Sequence, residues 1–168
     1  MIVRHRGKSP TIDPTATVAP SAVVAGDVTL GPGVRVLHGA VLTAENGRIS
    51  VDENVVIMEN AVVKARAGHD VEIGHSVVVG PHAHVNGARV GEECFLATGA
   101  ALFPGAVLGR RCEVRIRAVV QVNTVMAEGS LVPIGWIAAG NPATTLPPDR
   151  HEEVWAIQQD LDFAGTVY

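Results

Sequence analysis

The stretch Val90–Met126, set out in sixes, reads VGEECF LATGAA LFPGAV LGRRCE VRIRAV VQVNTV M. An apolar residue opens every group, and a step of six is neither the two-residue alternation of a long strand nor the 3.6 of a helix, so it marks a repeat architecture. Beyond this stretch the step continues through Val132 and Ala138. Toward the N-terminus it runs through Ile73, Val79 and Val85, through Val51, Ile57 and Val63, and through Ile12, Val18, Val24, Leu30, Val36 and Leu42. Three breaks interrupt it: nine residues from Leu42 to Val51, ten from Val63 to Ile73, and five from Val85 to Val90. Those breaks are where something other than scaffold is expected.

Two residues before most of these markers stands a second small or β-branched residue, as at Ala22, Val28, Val34, Ala40, Ala61, Val77, Ala83, Cys94, Ala100, Ala106, Cys112 and Ala118. Side chains two apart on a strand share a face, so marker and partner point inward together. The residue after the marker is often small (Gly31, Gly74, Gly80, Gly91, Ala97, Gly109), where the chain turns a corner. Each hexad is then one short strand plus a corner, and three close a coil of about 18 residues stacked about 4.8 Å from the next. Cys94 and Cys112 should stack in adjacent coils as inert core.

With 168 residues, 47% hydrophobic and only 4% aromatic, the chain suits one solenoid domain whose narrow interior is filled by Val, Ile, Leu and Ala. A net charge of −4 argues against nucleic acid, which calls for a clustered basic surface. No apolar run approaches the ~18 residues of a membrane span or follows Arg4, His5, Arg6 and Lys8 as in a signal peptide, so a cytoplasmic location without membrane contact is expected. The expected organisation is an N-terminal segment over 1–10, the repeat over 11–143, and a helix over 147–163 in the same domain. Asp149 as N-cap, Glu152 three positions on, and the stripe Val154, Ile157 and Leu161 beside Trp155 mark that helix. Trp136, too wide for a regular coil interior, is expected to cap the solenoid's open end.

The one-in-six pattern resembles the hexapeptide-repeat families, which implies an all-β solenoid, a left-handed parallel β-helix with a C-terminal α-helix, assembled as a homotrimer. Within them, Ala25-Gly26-Asp27-Val28-Thr29-Leu30-Gly31, Gly39-Ala40-Val41-Leu42, Ala139-Gly140-Asn141-Pro142-Ala143 and the placement of the breaks resemble the γ-class carbonic anhydrase branch. That resemblance implies a zinc ion held between subunits by three histidines, whose positions fall here on Lys64, Pro81 and Asn86. None is a zinc ligand of the usual kind, since zinc takes imidazole, thiolate or carboxylate. The family's Arg and Asp fall on Thr43 and Glu45, and its Gln-Asp pair falls on Met58-Glu59.

Residues after every third marker form a ladder along one edge: Thr43, Lys64, Asn86, Phe103, Gln121. Lys64, with Glu45, Glu59 and His84 around it, is the candidate for binding a carboxylate or phosphate or for proton transfer. Asn86 and Gln121 would contact the substrate, and Arg115 and Arg117 form a candidate anion clamp. A metal site shifted onto His82 and His84, completed by Glu45, Glu59 or His75 of the partner subunit, is the metal-bearing alternative. The leading expectation is a remodelled lyase- or hydrolase-type enzyme acting on a small anionic molecule. The alternatives are a CoA-dependent acyltransferase or thioesterase, with His69 as its candidate histidine, and a non-catalytic binding or assembly trimer.

Overall fold

In the computed structural model, which describes residues 1–158, short parallel strands wind into a three-faced solenoid. The first face stacks the opening halves of Val23–Leu30 and Val41–Val51, then Val62–Ala65, His84–Asn86, Ala101–Leu102, Val119–Val120 and Ile137–Ala139. The second stacks Thr11–Ile12, the closing halves of the same two long strands, then Val71–Ile73, Arg89–Val90, Val107–Leu108 and Val125–Met126. The third runs from Thr17–Val18 through Arg35–Val36, Val56–Ile57, Val78–Val79, Phe95–Leu96 and Glu113–Val114 to Leu131–Val132. This is the left-handed parallel β-helix that the family resemblance implies.

Markers pair with markers, as Leu42 with Val24 and Val63, and Val85 with Val63 and Leu102. Every marker from Val24 to Ala138 is buried, and so are their partners Ala22, Val34, Ala61, Ala83, Ala100 and Ala118. Cys94 and Cys112 occupy this column: the Cys94 thiol donates to the Gly109 carbonyl at 3.1 Å, and the Cys112 thiol to that of Ala127 at 3.1 Å.

All three breaks in the step of six fall at the same corner, between the first and second faces. There the nine- and ten-residue breaks add chain and the five-residue break shortens the corner, while the strands on either side stay paired. The bulge at Gly26 is steric: its φ is +86°, and a Cβ there would lie 2.4 Å from the Ala44 carbonyl oxygen. The loops of this corner are tied together: Arg48 reaches Asp27 at 3.7 Å, Lys8 reaches Asp27 at 3.9 Å, and the Ala67 N–H donates to Asn46 Oδ1 at 2.9 Å.

The segment 1–10 is part of this stack, because Ile2–Val3 pairs in parallel with Val24 and Ala25. At the other end, Thr144–Leu146 folds back antiparallel on Ile137–Ala139 and covers that edge, while Trp136 packs half-buried against the core. A 3-10 turn at Pro148–Arg150 leads into the helix His151–Gln158, where Val154 is buried and Trp155 exposed. The part of the expected helix beyond 158, Leu161 included, lies outside the described residues.

Candidate functional site

The corner between the first and second faces positions the ladder. Thr43, Lys64 and Asn86 stand in register on neighbouring strands, and the Gly87 N–H donates to the Lys64 carbonyl at 2.9 Å. Lys64 Nζ lies 3.2 Å from Glu45 Oε1, with the lysine side chain 24% exposed and the glutamate 39%. Glu45 is therefore its counter-ion, but at that exposure the pair contributes on the order of 1 kcal/mol or less. The Asn86 Oδ1 is buried without a hydrogen-bond partner.

His84, two residues before Asn86, projects from the same face of the sheet, between Val62 and Ala101. Its pKa lies below the ordinary histidine value, first because burial disfavours the imidazolium and then because Lys64 repels it. A neutral imidazole is therefore available beside a cation, suited to accepting a proton or a hydrogen bond.

The other sequence-selected residues lie elsewhere. Glu59 and His82 sit at the corner between the third and first faces, where the His82 N–H donates to the Glu59 carbonyl at 3.0 Å. Glu59 and Lys64 thus flank opposite ends of Val62–Ala65, so within one chain Glu59 does not answer Lys64. Pro81 shares the Glu59 corner. Arg115 and Arg117 lie at that corner further along the stack, Arg115 paired with Glu113 at 3.3 Å. Gln121 is 1% exposed and belongs to the Lys64 edge, but beyond Phe103. There it lines a separate cleft of about 470 Å³ with Asn123, Gly140, Thr144 and Leu146.

His75 pairs with Glu92 at 3.3 Å, remote from His82 and His84. Among the described residues no three His, Cys, Asp or Glu side chains converge as metal ligands, so one chain supplies at most the pair His82 and His84 to a shifted metal site. His69, on the ten-residue break, packs its Cβ where a Cβ on Gly87 would come within 2.6 Å. Burial and then Arg66 lower its pKa.

Arg66 belongs to this corner as well, although the hexad does not single it out. It follows Lys64 by two residues, just past the end of Val62–Ala65, where continued alternation puts it on the Lys64 side, and its Nε is buried without a partner. The signal was the alternation itself, extended past the end of the hexad into the break.

No protein-family model matches the chain. It is 33% identical to Gamma carbonic anhydrase 2, mitochondrial, of Arabidopsis thaliana, over 93% of this chain and 58% of that relative. Identity to Gamma carbonic anhydrase 1, mitochondrial, of the same plant is 34%, over 93% and 59%. The chain thus spans less than two thirds of the curated relatives it matches. Among solved structures, PerB of Caulobacter crescentus in complex with CoA and GDP-perosamine superimposes with a TM-score of 0.60 and 32% identity, covering 79% of this chain and 57% of that one. No helix among the described residues is long and apolar enough to cross a membrane.

Proposed function

The chain belongs to the γ-carbonic-anhydrase-like branch of the hexapeptide-repeat proteins, and from that premise we propose that it is a trimer binding a small anionic molecule at the Lys64 corner rather than a zinc-dependent hydratase. The observation that carries this reading is Lys64 itself, a half-buried ammonium in register with Asn86 and Thr43 where the family resemblance calls for a ligand. Zinc does not fit these residues. A protonated amine hydrogen-bonding Glu45 offers no lone pair, Pro81 has no side-chain donor atom, and Asn86 brings only an amide.

Recognition would use Lys64 as the positive charge, Asn86 as a hydrogen-bonding amide and neutral His84 as proton acceptor, with Glu45 moving aside or taking up a proton. The placement of the remaining residues supports a site shared between copies. Glu59, Pro81, His82 and Arg117 border the first face on one side, and Lys64, Glu45 and Asn86 border it on the other. Side-by-side packing on this face would bring one border of each copy to the other border of the next.

The test is a titration of small carboxylates into the assembled protein and into Lys64→Ala. The variant should keep the oligomer and lose binding; unchanged binding in an intact assembly would remove Lys64 from the site. Elemental analysis of untagged protein beside His82→Ala/His84→Ala checks the metal-bearing alternative, which requires about one metal per chain, lost in the variant.

Likeness to a CoA-bound structure at 32% identity favours acyl transfer as the second reading. His69, kept neutral and held in the ten-residue break, would be its base. Acetyl-CoA turnover abolished by His69→Ala, with Lys64→Ala still active, would decide for it.

A further inference from the structure

Arg66 is a cation of this corner that no anion answers. Lys64 has Glu45, and the neighbouring acids are engaged elsewhere: Asp27 with Lys8 and Arg48, and Asp70 Oδ1 with the Arg48 backbone N–H at 2.8 Å. Among the described residues the Arg66 side chain makes no ion pair or hydrogen bond, and its Nε is closed off from water. A guanidinium N–H in that state carries an uncompensated desolvation cost that an incoming acceptor relieves. The surroundings report the same positive field: His69 beside Arg66 and His84 beside Lys64 are both pushed toward the neutral form, by burial first and by those cations second.

The corner therefore carries one unanswered positive charge while Glu45 stays on Lys64, and two when an incoming carboxylate displaces it. Displacement is easy, because a partly exposed ion pair is only weakly stabilising. Lys64, on Val62–Ala65, and Arg66, the first residue past that strand, stand two residues apart, roughly 6.6 Å along an extended backbone. A compact anion would have to draw both long side chains to one point, whereas two carboxylates joined by two carbons match the spacing of their bases.

Resting on the anion-binding reading above, we infer that the ligand of this corner is a four-carbon dicarboxylate, held by Arg66 at one carboxylate and by Lys64 at the other. The buried, unpartnered Asn86 Oδ1 adds an acceptor, reached by rotation of the amide, for a hydroxyl on the carbon chain.

Calorimetric titration of the assembled protein with succinate, butyrate and inorganic phosphate tests this, in the wild type, Arg66→Gln and Arg66→Lys. Succinate should bind at least about tenfold more tightly than butyrate, the effect of one added charge-assisted contact. Arg66→Gln should bring succinate down to the level of butyrate without changing butyrate, and Arg66→Lys should recover part of the difference. Equal binding of succinate and butyrate by the wild type would overturn the two-point ligand and leave the anion reading standing. Phosphate binding as tightly as succinate would overturn it in favour of a compact dianion. Binding of none of the three by correctly assembled protein would remove the anion reading and this inference with it.

Discussion

Three residues past many of the markers the backbone enters the left-handed region, at Gly33, Gly39, Gly99 and Gly105 but also at Asn54, Ser76, His82, Arg111, Arg117 and Asn123. Glycine after the marker itself serves another purpose: a Cβ on Gly109 would meet the Glu128 backbone nitrogen at 2.6 Å, so that position admits the next coil rather than an unusual φ. Arginine and histidine at left-handed corners cost about 1 kcal/mol or more each, which a scaffold alone would avoid. Arg117, exposed with φ of 54°, makes the clearest case. Arg117→Gly should raise stability by about 1 kcal/mol in chemical denaturation if the guanidinium does nothing for the fold. A loss instead would mean that the side chain is held by a contact, such as one across a subunit boundary.

At the scale of elements, the long strands Val23–Leu30 and Val41–Val51 carry the first face around the corner into the second, and Gly26 lets them lie together. Gly26→Ala places a methyl against the Ala44 carbonyl at a positive φ, so a loss of about 2 to 3 kcal/mol is expected in thermal or denaturant unfolding. An undiminished midpoint would show that the bulge relaxes freely. The step of six revealed the strands, the core and the edge ladder because a coil interior admits only small aliphatic side chains and punishes any slip. Ile2–Val3 escaped the reading because it reaches Ile12 across a break. Its His5–Lys8 bridge repeats the Arg66–His69 bridge of the ten-residue break, and neither loop keeps the hexad. Nearness in sequence groups Glu59 with Lys64, whereas the strand between them sends the two to opposite corners. Arg66 escaped because the periodicity stops where the loop begins, although its two-residue offset from Lys64 was already present.

For the whole molecule, the outward column of the first face runs Val23, Val41, Val62, His84, Ala101, Val119 and Ile137. On the second face the matching column runs Thr11, Thr29, Ser50, Glu72, Arg89, Val107 and Val125, polar through Arg89 and apolar only in its last two coils. An apolar sheet face bounded by two unlike polar borders suits a heterologous contact that closes into a ring, with each copy's Lys64 border against the next copy's His82 border. His84 is the single titratable group in that column. The charged groups nearest it are Lys64 on the adjacent strand and, through Lys64, Glu45; Val62 and Ala101 flank it directly. Since its pKa in the folded chain lies below the ordinary 6.5, its contribution is fully present above that value and is lost as pH falls toward the lowered one. The stability of the folded chain should therefore fall on acidification through this range, as denaturant midpoints measured against pH would follow, and His84→Gln should flatten the dependence. Val41→Glu should yield monomers at neutral pH while Ser50→Glu on the second face leaves the oligomer whole. An oligomer that survives Val41→Glu would place the contact on another face and break the link between assembly and the Lys64 corner.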